Sequence, residues 1–272
     1  MKSFYGLLLL LLILLIPPKL HADSYLQLKA GAGIAGGDDK MAGAAYDALR
    51  LRSNQGPAPG VNLGFAYMRT INSSSSWLIS GNISLIYGVC MEDDDYYSDT
   101  GGETPPAMNE FPIIWHYDEL TISYAYTFSK TISFAIGPHF MTGMGFGDYK
   151  YDEDNEGYPD SFFVMTYYAG GAAGVAGRFH LYRSVFFLPK LGSGFVAGRS
   201  FEKYDSETFN SNEYYGMLNG TLGFGHYVPR SATLIEYGVL SNFYLQHFYP
   251  TKFFDGVRYA RIMAYTSFTR KL

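Results

Sequence analysis

Hydrophobic and polar residues alternate through 120–140. Leu120, Ile122, Tyr124, Tyr126 and Phe128 share one parity, and Thr121, Ser123, Ala125 and Thr127 share the other. After Ser129-Lys130 the pattern resumes, with Ile132, Phe134, Ile136 and Phe140 against Ser133, Ala135, Gly137 and His139. Successive side chains of a strand point to opposite faces, so each half is a strand with one apolar and one small or polar face. Two such strands joined across a short break predict a β-hairpin. Ser-Lys lacks the Asn-Gly chemistry of the favoured turns, which leaves the turn type open.

The same alternation predicts ten strands, near 24–34, 60–71, 76–90, 114–128, 131–146, 162–181, 184–200, 213–227, 231–248 and 256–269. Leu28, Leu63, Trp77, Ile83, Phe195, Leu222, Tyr237 and Val239 fall on the apolar parity of their strands. In the last strand Ala260, Ile262, Ala264 and Phe268 are taken as the apolar face, which turns Arg261 to the other side. Most of these runs reach ten residues. A globular strand averages about five or six, whereas a tilted strand crossing a bilayer needs roughly 9–11.

The connections alternate in length. Short breaks fall at 72–75, 129–130, 182–183 and 229–230, and long ones near 35–59, 91–113, 147–161, 201–212 and 249–255. Of the 25 acidic residues, 21 lie in the long connections and their margins: three, seven, six, four and one in chain order. The short side carries Arg69, Lys130, Arg183, Arg230, Arg270 and Lys271, with Asp23 its one acid. Carboxylates are costly in hydrocarbon and collect where water is. A polar-loop rule alone does not explain the difference in sign between the two ends. An all-β, up-and-down antiparallel barrel that crosses a membrane accounts for strand length, loop asymmetry and charge together.

Residues 1–22 read as a secretory signal: Lys2, an apolar run of ten from Leu7 to Ile16, Pro17-Pro18, then Leu20-His21-Ala22. The run is too short for an ordinary membrane-spanning helix. Residues 23–272 then form the barrel domain. The single cysteine, Cys90, excludes an internal disulfide and a cysteine-based metal site. The chain is rich in Tyr (25) and Phe (21) and has a formal net charge of -5, with no basic patch for nucleic acid.

In strand number, loop asymmetry and signal, the chain resembles the small outer-membrane β-barrels of Gram-negative-type bacteria over residues 23–272. Phe268 and the terminal Leu272, on one parity, partly match the aromatic ending common in that class. The resemblance implies an outer-membrane location, with acidic loops extracellular and both termini periplasmic. It implies a monomer with lipid and lipopolysaccharide, or its equivalent, as surroundings, and a host or environmental ligand as a partner of the loops. No cofactor is expected.

The inward parity holds Lys29, Glu119, His139, Arg178, His180, Lys190, Glu236 and Arg261. Small barrels fill their interior with side chains, so these residues are expected to form an internal ion-pair network. The alternative is a narrow polar passage, which an excess of cations over two carboxylates would bias towards anions. A third reading is enzymatic. The chain resembles omptin proteases in length and strand number, and that likeness implies acidic and Asp-His groups at the outer rim, activating water by general-base action. The candidates are Asp93 and Asp95, with His116 and Asp118 at the head of the fourth strand, in the order His-x-Asp. None of the six histidines has Ser two residues on, the pair used by outer-membrane lipases and lipid A deacylases. Asp152, Asp154 and Glu156 open like an EF-hand loop, but Phe163 stands at its twelfth position, where the bidentate Glu belongs. The resulting expectation is a non-enzymatic surface barrel, with solute passage and rim proteolysis as alternatives.

Overall fold

The structure, a computed structural model, describes residues 23–37, 58–90, 111–148, 161–204, 207–245 and 257–272. Its strands are β1 (Ser24–Gly37), β2 (Ala58–Asn72), β3 (Ser75–Cys90), β4 (Phe111–Thr127), β5 (Ile132–Asp148), β6 (Ser161–Gly177), β7 (Phe179–Tyr182), β8 (Val185–Phe187), β9 (Lys190–Tyr204), β10 (Glu207–Val228), β11 (Thr233–Leu245) and β12 (Val257–Lys271). Every pairing is antiparallel, and β1 closes on β12. The result is a closed ten-stranded barrel, because β7 and β8 only prolong β6 and β9 at one end. Closure leaves no free sheet edge, so the backbone polar groups of the wall are paired without water.

Register sets the shape. A row of paired residues starting at Phe224 passes through Ala30, Ile83 and Thr142 and returns to β10 at Asn212, a stagger of twelve residues (224 against 212). Such a stagger obliges the strands to tilt, typically by about 35–45° to the barrel axis. Close strand approaches are met by glycine. At Gly137 a Cβ would lie 1.9 Å from the Ile122 carbonyl oxygen, and next to it Pro138 has no N–H to offer the ladder.

The predicted faces appear as burial. Leu63, Leu191 and Leu222 are more than 60% exposed, whereas Met263 and Val196 on the opposite parity are fully buried. The outer surface is therefore an apolar band. Its short-turn edge is aromatic: Trp77 meets Tyr124 edge-on at 5.8 Å, Tyr126 meets Phe128 at 5.0 Å, and Phe187 meets Phe224 at 5.5 Å. An aromatic girdle of this kind marks a membrane–water boundary. Leu245 is an exception. The pairing register shifts between Tyr244 and Leu245, and Leu245 is buried although its parity predicts exposure.

Three further expectations change. The sixth and seventh predicted strands each break in two, at Arg178 and at Leu188-Pro189. Gly177 N donates to Pro189 O at 2.8 Å and Leu188 N to Gly223 O at 2.8 Å, so pairing continues across the interruption. The predicted loop 201–212 is mostly strand, with Glu207 opposite Tyr204 and Asn212 opposite Arg199. The turn left open at Ser129-Lys130 is serine chemistry: Ser129 Oγ accepts from Thr131 N at 3.2 Å and from Ile132 N at 3.1 Å.

Among the described residues, two non-glycine residues take positive φ, Arg183 at 49° and Ala232 at 48°. Ala232 caps the 3-10 turn Pro229–Ser231 in the left-handed region, where a Cβ is strained. Ala232→Gly is expected to stabilise the barrel by about 0.5–1 kcal/mol, read from the denaturant midpoint of the refolded protein. A lower midpoint would show that the turn tolerates alanine without strain.

Candidate functional site in the barrel lumen

The inward side chains form two polar clusters. In the first, Arg261 of β12 lies beside Glu119 of β4, with Nη2 3.0 Å from Oε2 and 3.1 Å from Oε1. Tyr244 OH also donates to Glu119, Asn82 Nδ2 donates at 3.3 Å, and Arg261 Nη1 donates to Ser84. Arg261 is 1% exposed and Glu119 8%. An ion pair this deep needs further hydrogen bonds to offset its desolvation, and the Tyr, Asn and Ser partners supply several of them.

The second cluster surrounds Glu236 of β11, which is 2% exposed. It accepts from Tyr265 OH, from Gln27 Nε2 at 3.4 Å and from Ser267 Oγ at 3.4 Å, and Lys190 Nζ lies 3.6 Å away. Gln27 is itself bonded to Ser267 at 3.0 Å.

These clusters border a cavity of about 460 Å³ to which all ten barrel strands contribute. Lys29, Glu119, His139, Lys190 and Arg261 line it, with Asn82, Thr121 and Tyr265. Lys29 Nζ stands 5.6 Å from the Tyr265 ring centroid. His139 Nδ1 is 2.8 Å from Thr121 Oγ1, while its Nε2 is buried without a partner. Towards the long-loop end lie buried Tyr117, Met141, Tyr168, Tyr215 and Val196. Tyr168 and Tyr215 meet edge-on at 5.5 Å, and both hydroxyls donate to Glu213, Tyr215 at 2.9 Å.

Six of the eight residues expected inside are thus placed around the cavity or in its two clusters. Arg178 and His180 are not: both are exposed on the β6–β7 extension. Arg178 stacks over Phe186 at 4.3 Å, and the His180 ring bonds Arg183 O. The strand break at Arg178 takes them beyond the closed wall, so parity alone does not bring them inside. Sequence reasoning missed Tyr244 and Tyr265, although inward parity was a usable signal for both; Gln27, Asn82 and Ser84 fall on the inward parity but were not counted in the charged network. Glu213, counted with the margin of the long connection, starts the eighth predicted strand on its inward parity, and β10 carries it inward.

His116 and Asp118 do pair, with Nε2 2.8 Å from Oδ1. Asp118 lies between the inward Tyr117 and Glu119, and its strand neighbours are Ile83 and Thr142. The pair therefore sits on the outer wall and points away from the lumen. Asp93, Asp95, Asp152, Asp154 and Glu156 lie outside the described residues, as do residues 1–22 and most of the long connections. Among the described residues no cluster of three or more His, Cys, Asp or Glu side chains could hold a metal ion.

No protein-family model matches the chain, and no curated protein matches it in sequence. Solved structures match its fold. The outer membrane protease OmpT from Escherichia coli aligns with a TM-score of 0.57 at 10% identity, covering 92% of this chain and 96% of that one. A major outer membrane protein from Thermus thermophilus aligns at 0.38 and 13%, covering 90% and 99%. LpxR from Salmonella typhimurium aligns at 0.29 and 10%, again covering 90% and 99%. At such identities the likeness to OmpT is one of fold alone, and the two looser alignments carry no argument. In architecture the chain is a closed ten-stranded antiparallel β-barrel, similar in fold to that outer-membrane barrel.

Proposed function

We propose that this protein is a non-enzymatic barrel of the outer membrane, a rigid wall that holds acidic loops at the cell surface. The observation that carries the reading is the division of the wall. Its outer parity is largely apolar with an aromatic edge, interrupted by the His116–Asp118 pair, and its inner parity is closed by bonded polar clusters and a tyrosine-rich layer. A lumen filled in this way supports a structural or adhesive role. The loops face outwards and both termini lie in the periplasm, because 21 of 25 acids sit in the long connections. Residues 1–22 serve as the export signal and are removed. The chain works as a monomer among outer-membrane lipids, and its loops meet a host or environmental ligand.

The outward direction of His116 and Asp118 favours this over rim proteolysis, since neither side chain faces a substrate held at the mouth. The 460 Å³ cavity favours a second reading, a narrow passage. Two measurements separate the possibilities. Outer-membrane fractions should show a heat-modifiable gel shift, and planar bilayers containing the refolded protein should show no steady conductance. A protein recovered in the soluble fraction would end the barrel reading. Stepwise currents would replace the sealed wall with the passage.

A further inference from the structure

The lumen charges do not balance locally. Arg261 is bonded to Glu119, and Lys190 lies against Glu236. Both carboxylates are saturated with donors. Lys29 also lines the cavity, yet among the described residues no carboxylate lies within ion-pair distance of its ammonium, whose one close neighbour of note is the face of Tyr265. Glu213 does not line the cavity and is bonded to Tyr168 and Tyr215 of the layer above. An ammonium withdrawn from water without a counter-charge is costly.

A buried histidine belongs to the far wall of the same space. His139 is 7% exposed and its Nε2 has no partner, although Thr121 holds the other ring nitrogen. That nitrogen is sealed from the cavity, so it is part of the wall and not a ligand contact. The wall across from Lys29, on β5 and β6, is small and apolar, with Ala135, Ala172 and Ala176. The space is within the range of small-molecule pockets, about 300–1,000 Å³. Lys190, whose side chain is 43% exposed, stands at the start of β9 and marks the short-turn end as the open approach.

We propose that the lumen binds a small organic monocarboxylate, with its carboxylate at Lys29 and its hydrocarbon body against the alanine wall. One negative charge is what the unbalanced ammonium requires. A fully hydrated inorganic ion would leave the alanine wall unused. The inference rests on the barrel reading but not on the barrel conducting, since the layer of Tyr117, Tyr168 and Tyr215 stands between the cavity and the long-loop end.

The test is titration calorimetry on the refolded full chain in detergent, with butyrate, chloride and choline as probes, after the gel shift and circular dichroism have shown an intact barrel. Butyrate should bind and choline should not. Lys29→Met should weaken butyrate by about tenfold or more, and Lys29→Arg should keep most of the affinity. Should Lys29→Met fail to refold, Lys29→Gln takes its place, and the contrast between butyrate and choline on the unaltered protein still decides. An intact barrel that ignores butyrate, or binds it equally after loss of Lys29, overturns the site while leaving the barrel standing. Chloride binding as tightly as butyrate overturns the organic ligand.

Discussion

Replacing Arg261 with methionine is expected to cost the barrel roughly 3–5 kcal/mol. The substitution removes the guanidinium but leaves Glu119 where it is, 8% exposed and ionised, with only Tyr244 and Asn82 to hold it. An uncompensated buried charge is far more damaging than the loss of a pair. The double variant Arg261→Met/Glu119→Gln should therefore recover most of the loss, because it removes the stranded charge. Urea unfolding in lipid vesicles reads both. A single-variant loss under about 1 kcal/mol, the worth of an exposed pair, would mean that water reaches this cluster and that the lumen is not closed there.

The second large effect belongs to the outer wall. Leu63 is 61% exposed, and its strand neighbours are Ala30 and Ile83. Leu63→Arg is expected to destabilise the bilayer-embedded protein by roughly 2–4 kcal/mol, the cost of a cation near the middle of the hydrocarbon. Ile71→Arg, on the same parity but beside the short turn, should cost only about 0–1 kcal/mol, because its guanidinium reaches the interface. The gradient between the two substitutions is the signature of lipid. Equal and negligible costs would show that water covers this face, and no barrel of this orientation in a membrane would survive that result.

Period-two alternation is local information, and it reached as far as local information goes. It located the ten strands of the wall, separated outward Leu28, Trp77 and Leu222 from inward Glu119, Glu236 and Arg261, and identified the class of fold. It erred where backbone pairing departs from simple alternation. The break at Arg178 carries Arg178 and His180 past the wall, the bulge at Tyr244/Leu245 buries a residue that parity exposes, and the paired extension of β9 and β10 turns most of the expected loop 201–212 into strand. Each departure depends on hydrogen bonds to a neighbouring strand, and those partners are not visible in the run itself.

Partnership was the other limit. Alternation turns Lys29, Arg261 and Glu119 to one side but cannot say which cation meets which carboxylate. Arg261 and Glu119 stand 142 residues apart and meet only because the barrel closes with a stagger of twelve residues. The chain by itself determined a wall of long strands with one apolar and one polar face, since side-chain direction follows from the pleat. Closure alone decided that Lys29 faces a cavity without a carboxylate of its own, because the shear of the barrel chooses which strands bring their charges together.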